Sequence, residues 1–103
     1  MKKYRLVVTD NVWNNLAEIT QYITSVASEN LAMKYTDQLL DEIRELSNPL
    51  LADAMQFSQW QTAKQLHPQA KRLITKNRKW NIIFHIDGQF VVIDGIIATS
   101  NLH

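Results

Sequence analysis

The dipeptide Asp87-Gly88 constrains this chain more than any other feature, because it joins two runs whose side chains alternate as they do in strands. Residues 79–86 form the first run and residues 90–97 the second. A type I′ turn needs positive φ at both central positions, and Asp-Gly meets that need at low steric cost. With Asp87 and Gly88 central, Phe84 is expected opposite Val91, and Ile82 opposite Ile93. Trp80, Ile82, Phe84 and Ile86 then share one face with Val91, Ile93 and Ile97, the face expected to lie against helices. The other face carries Asn81, Ile83, His85, Phe90, Val92, Asp94 and Ile96. Residues 70–75 read as a further strand, so the last third is expected to be a three-stranded antiparallel meander.

The first half has the other periodicity. After a short strand over residues 4–9, Thr9 or Asp10 supplies an N-cap for a helix. Val12, Leu16, Ile19, Ile23 and Val26 recur at spacings of three and four, which is one apolar stripe, widened by Trp13, Ala17 and Ala27. Ser28 caps a second helix whose stripe is Ala32, Tyr35, Leu39, Ile43 and Leu46, with Leu40 beside it. Glu42, Arg44 and Glu45 fall mostly outside that stripe, and Pro49 marks the stop. The short connection predicts an antiparallel αα-hairpin. Residues 50–69 read as a connecting segment, ended by Pro68, that packs apolar side chains against the core edge. The whole is one α+β domain over residues 1–103.

Composition removes several function classes. The chain has no cysteine, so disulfides and thiolate zinc sites are unavailable. Its only glycines are Gly88 and Gly95, which excludes the glycine-rich loops that cradle nucleotide phosphates. His67, His85 and His103 stand far apart in sequence without metal-ligand spacing, and neither metal nor cofactor is expected. No apolar run is long enough to span a bilayer. Asp10 interrupts the basic and apolar N-terminus too early for a signal peptide, so a cytoplasmic location is expected.

The formal net charge is +1, but its distribution is uneven. Residues 10–53 carry eight acids against two cations, whereas residues 54–86 carry six cations and no acid. Such a surface suits nucleic acid or an acidic partner chain. Lys71, Arg72, Lys76, Arg78 and Lys79 cluster around the first turn of the meander and are the candidate phosphate- or partner-binding residues. His67, His85 or His103 could supply proton transfer beside them.

The order of elements, together with particular residues, resembles the RelE/ParE superfamily of toxins from bacterial type II toxin-antitoxin and plasmid stabilisation systems. Those residues are Leu16, Ile19, Tyr22 and Ile23 in the first helix, and Ala32, Tyr35, Leu39, Ile43 and Leu46, followed by Pro49, in the second. Lys71-Arg72-Leu73, the run from Trp80 to Ile86, and Val91-Val92-Ile93 with Ile96 complete the resemblance. It spans nearly the whole chain apart from residues 50–67. It implies a strand, an αα-hairpin and a meander packed against the helices, and a cognate antitoxin as partner. It also implies growth inhibition, either by metal-independent endoribonuclease action on mRNA in the ribosome or by poisoning DNA gyrase.

Under the nuclease reading the candidate catalytic residues are Arg72, which matches the family's basic position, with His85 and His103. Three departures stand against that reading. Phe84 occupies a position where tyrosine is common and Asn81 one where arginine is frequent. Ala98 with Thr99-Ser100-Asn101 replaces the usual histidine and arginine of the tail, leaving His103 as the substitute. The alternative is a non-catalytic binding module, an inactive toxin homologue that docks an antitoxin or another protein.

Overall fold

The computed structural model describes residues 3–101. The helical hairpin follows the apolar spacing closely. Helix α1 (Asp10–Val26) buries Val12, Leu16, Ile19 and Ile23, and α2 (Glu29–Glu45) buries Ala32, Leu39 and Ile43. Val26 and Trp13 are exceptions: both are more than half exposed, because the stripe outruns the surface it covers. Ser28 caps α2 by accepting the Leu31 N–H at 3.1 Å. The Thr20 and Thr36 hydroxyls, 2.7 Å apart, tie the two helices together.

Glu42 departs from expectation. It is 4 % exposed, and its Oε1 accepts the Lys76 N–H at 2.7 Å. The carboxylate thereby joins α2 to the first turn of the meander, where it satisfies a backbone donor that the turn leaves free.

Residues 50–69 are more ordered than a connection. Helix α2 already ends at Glu45, before Pro49, and Pro49 opens a further helix, α3 (Pro49–Ala52), capped by Asn48, whose Oδ1 accepts the Leu50 N–H. Helix α4 (Gln61–Leu66) follows.

Strands β1 (Arg5–Val8), β2 (Lys71–Ile74), β3 (Trp80–Asp87) and β4 (Phe90–Ala98) form one mixed sheet in the order β1-β4-β3-β2. The antiparallel meander is therefore three strands of a four-stranded sheet. The N-terminal strand joins it, parallel to β4, with Leu6 opposite Val91 and Val8 opposite Ile93. A parallel neighbour requires a long connection, and residues 9–89, which hold the four helices and β2 and β3, supply it.

The hairpin differs from expectation at its turn. Asp87 pairs with Phe90, so Gly88 and Gln89 are the central residues, and of these only Gly88 has positive φ, at 60°. Glycine at the first central position is the requirement of a type II′ turn. Phe84 consequently lies opposite Ile93 rather than Val91. The shift is by two residues, so no side chain changes face: Phe84, Val91 and Ile93 are fully buried with the helices.

A second irregularity does change faces. Phe84 pairs with Ile93 but Ile83 pairs with Gly95, leaving Asp94 as an extra residue in a β-bulge. Beyond it Ile82 lies opposite Ile96 and Asn81 opposite Ile97. Ile96, expected on the far face, joins the main core, and Ile97, expected in that core, packs instead with Ala63, Ala70, Ile83 and Trp60. This smaller cluster covers the sheet face away from the hairpin, and α4 supplies part of it.

Tyr4 closes the entry to β1 by donating its hydroxyl to Asp53 Oδ1 at 2.6 Å. That bond raises the Tyr4 phenol above its usual value, and burial and the Asp53 charge act in the same direction. A raised value means that the contribution to stability is present below about pH 10 and is lost as pH rises through the higher folded value. Absorbance titration should show a phenol component above the usual tyrosine value, and Tyr4→Phe should remove that component. A variant that keeps the high component would contradict the assignment.

Candidate functional site

The bulge at Asp94 organises the only cluster of polar side chains on the far face in which two histidines and a carboxylate meet, among the described residues. It is held from outside by the start of α1. Asn11 Nδ2 donates to the Asp94 carbonyl at 2.9 Å, and Asn15 Oδ1 accepts the Ile96 N–H at 2.9 Å. Thr9, at the N-cap, donates its hydroxyl to the Ile93 carbonyl at 2.7 Å rather than capping the helix. Asn11 and Asn15 lie one turn apart, so both amides reach the strand at the point where the ladder is broken. Gly95 fits beneath them: a Cβ there would lie 2.8 Å from Leu66 Cδ1 and 3.1 Å from Asn11 Nδ2.

Asn15→Ala would leave the Ile96 N–H without its acceptor in a buried position. The expected loss is about 1–3 kcal/mol, read from denaturant unfolding. A loss within error of zero would mean that Asn15 does not hold the bulge.

Asp94 Oδ2 lies 2.7 Å from His85 Nδ1, with side-chain exposures of 9 % and 13 %. The His67 ring stacks on His85 with centroids 3.6 Å apart and planes within 4°. His67 Nδ1 accepts the Gln69 N–H at 3.1 Å. In the tautomer that donates its Nδ1–H to the Asp94 carboxylate, His85 keeps Nε2 as its free acceptor atom. Such a pair can accept and return a proton.

The five candidate cations engage different neighbours. Arg72 lies opposite Ile83 on the far face, with its guanidinium 3.9 Å from the Trp60 ring centroid. Lys71, opposite Phe84, faces the other way, its Nζ 3.4 Å from the carbonyls of Ala52 and Asp53 and 5.2 Å from the Phe57 ring. Lys76 Nζ meets Glu45 at 3.2 Å, and Lys79 Nζ sits 5.7 Å from the Tyr35 ring, both on α2. Arg78 takes a left-handed conformation, φ 62°, and its carbonyl accepts the Thr99 hydroxyl. Arg72 and His85 share a face; Lys71, Lys76 and Lys79 are directed at other elements. His103 lies outside the described residues.

The positions where the resemblance departs from the nuclease pattern are structural. Phe84 is fully buried in the main core, and Asn81 is fully buried with Nδ2 bonded to the Ile97 carbonyl and Thr99 Oγ1. Beside Arg72 runs a groove of about 490 Å³ lined by Met55, Phe57, Trp60 and Ile74, among others. Among the described residues no group of three histidines or carboxylates could hold a metal ion, and no helix is long and apolar enough to cross a membrane.

Sequence reasoning placed Asp94 on the far face without connecting it to His85, and it missed Asn11, Asn15 and Trp60. One signal was available. Gly95, inside an otherwise unbroken strand pattern, is the mark of a bulge.

The sequence matches no protein-family model and no curated protein. Comparison of folds is more informative. A chain of the solved structure described as "Chromosomal ParDE TA system from P. aeruginosa" superposes with a TM-score of 0.79. This chain has that fold. The two are 16 % identical, and the superposition covers 93 % of this chain and 96 % of the other. Eight solved chains match in all.

Proposed function

We propose that this protein is the toxin component of a type II toxin-antitoxin pair and a RelE/ParE-type member, acting through a docked protein target and held inactive by a cognate antitoxin. The observation that carries the reading is the near end-to-end likeness to a chain of a ParDE toxin-antitoxin system. The sequence resemblance points the same way. Docking is favoured over RNA cleavage by the state of the polar groups. Phe84 and Asn81 are enclosed, Arg72 is stacked on Trp60, and Lys71, Lys76 and Lys79 are directed at other elements. Stabilising the charge that develops on a phosphate calls for donors gathered around it, and Lys71, Lys76 and Lys79 are not gathered beside Arg72.

The second reading, a ribosome-dependent endoribonuclease, has one specific observation in its favour. His85 is oriented by Asp94 on the same face as Arg72, which supplies a proton acceptor and a cation. A purified translation system separates the two. Intact message, together with gyrase-linked DNA breaks or another protein-bound target, supports docking; message cut by the wild type and spared by Arg72→Ala supports the nuclease. The toxin assignment itself is tested by inducible expression in bacteria. Growth should stop on induction and resume when the chain encoded by the adjacent reading frame is co-expressed; unaffected growth without that partner would overturn it.

A further inference from the structure

Asp-Gly occurs twice in this chain, at Asp87-Gly88 and at Asp94-Gly95, and the fold holds the two in opposite ways. The dipeptide is intrinsically reactive. Its glycine nitrogen can attack the aspartate carboxyl carbon, because no side chain on the glycine screens that nitrogen. The attack requires that the carboxyl group swing over its own backbone.

Asp87-Gly88 lies at the tip of the β3–β4 hairpin, where residues 87–90 are all exposed. The Asp87 carboxylate has no hydrogen bond or ion pair among the described residues, and the Gly88 N–H donates to nothing there. A Cβ on Gly88 would meet no atom within 4 Å, so the space around this peptide is open. One contact reaches the turn from outside, the Arg5 N–H to the Gln89 carbonyl at 2.9 Å. It holds the residue after the glycine and leaves the Asp87 side chain free.

Asp94-Gly95 is clamped. Asp94 is buried, its Oδ2 is tied to His85 Nδ1, and its carbonyl accepts from Asn11 Nδ2. Gly95 pairs with Ile83 inside the ladder, and Leu66 Cδ1 fills the space above it. Turning the Asp94 carboxyl toward the Gly95 nitrogen would break the His85 contact. Local opening costs little at a hairpin tip and approaches the global free energy in a central strand.

We propose that Asp87 is a site of covalent modification, the residue at which this protein forms isoaspartate. In the protonated acid the Gly88 nitrogen bonds to Asp87 Cγ, the Cγ–OH bond breaks, and the nitrogen's proton leaves with that hydroxyl as water. Water then opens the five-membered succinimide at either carbonyl. One opening restores aspartate; the other routes the chain through the side-chain carbonyl, one methylene longer, with a free α-carboxylate. The extra methylene falls between Asp87 and Gly88, in a hairpin whose two-residue turn sets the Asp87–Phe90 pair. The free α-carboxylate is the group that isoaspartyl methyltransferases esterify with S-adenosylmethionine.

The test ages the full chain in neutral buffer beside a sample kept unfolded in urea. An isoaspartyl methyltransferase with labelled S-adenosylmethionine counts the modification, and electron-transfer fragmentation of the two Asp-Gly peptides locates it. The ratio of isoaspartate at residue 87 to that at residue 94 should be about tenfold or more higher in the folded protein than in urea. Asp87→Glu keeps the charge at an exposed position but forms its six-membered imide far more slowly, and should bring labelling of the folded protein to background. Should that variant fail to fold by circular dichroism, the two ratios in the wild type still decide.

A folded-state ratio close to that in urea would overturn the proposal. So would an absence of isoaspartate at residue 87 once the unfolded sample carries it at both positions, or an Asp87→Glu protein labelled as strongly as the wild type.

Discussion

Phe84→Ala is expected to destabilise the protein by about 3–5 kcal/mol, the range for removing a fully enclosed aromatic side chain. Phe84 has no exposed surface and faces the helices from the centre of β3, between Ile82 and Ile86 on its own strand and opposite Ile93 on the next. A domain of this size has a total stability of about 5–15 kcal/mol, so the variant should be near its folding limit. Phe90 provides the comparison. It is 40 % exposed at the hairpin turn, and Phe90→Ala should lose far less. Denaturant unfolding of the two variants measures the difference. Equal losses would mean that Phe84 does not sit in the core.

The second large effect concerns chain length rather than side-chain size. Deleting Val92 should destabilise the protein by about 3 kcal/mol or more, whereas deleting Asp94 should leave a folded protein weakened by about 1–3 kcal/mol. Asp94 is the unpaired residue of the bulge, and the pairs Phe84–Ile93 and Ile83–Gly95 on either side of it survive its removal. What goes with it is the His85 contact and the carbonyl that Asn11 holds. Deleting Val92 instead pulls Val91, which is fully buried, onto the opposite face while the residues beyond keep theirs. Burial of such a side chain is worth about 1.5–3 kcal/mol, and the two-residue turn loses its spacing as well. Circular dichroism with thermal melts distinguishes the outcomes. An Asp94 deletion that loses as much as the Val92 deletion, or more, would show that the bulge lies elsewhere.

Those two strands also show where the sequence was legible. Apolar spacing in the helices carried directly into burial: Val12, Leu16, Ile19 and Ile23 face the core because the three-and-four spacing admits one solution. The strand runs were equally plain, but their register depended on which residues occupy the turn. Asp-Gly is compatible with more than one placement, and the neighbour pairing Asp87 with Phe90 prevailed. The mistake had no consequence for faces near the turn because the slip was even. Past Asp94 it did, and Ile96 and Ile97 exchanged places. A bulge is stabilised by contacts from distant elements, here Asn11 and Asn15, and local pattern carries no record of such contacts.

The site was less legible than the fold for the same reason. Charge along the chain marked residues 71–79 as basic, but alternate strand positions point to opposite faces, so neighbours in sequence were separated in space. Lys71 and Arg72 are the plainest instance, one beneath the sheet toward Ala52 and the other stacked on Trp60. Conversely, His67, His85 and Asp94 are remote in sequence and touch through a stack and one hydrogen bond. The residues 50–69 are the source of the remaining surprise. Their apolar side chains are spread over two short helices and an edge bridge, each too brief to show a period.

The account depends most on the existence of a partner that binds this chain. Titration calorimetry of the full chain with the purified product of the adjacent reading frame measures it directly. The expected result is a saturable, stoichiometric complex of submicromolar affinity that weakens as salt is raised, because an acidic segment meets a basic region. No heat of binding, and no co-elution at micromolar concentrations of both chains, would contradict it.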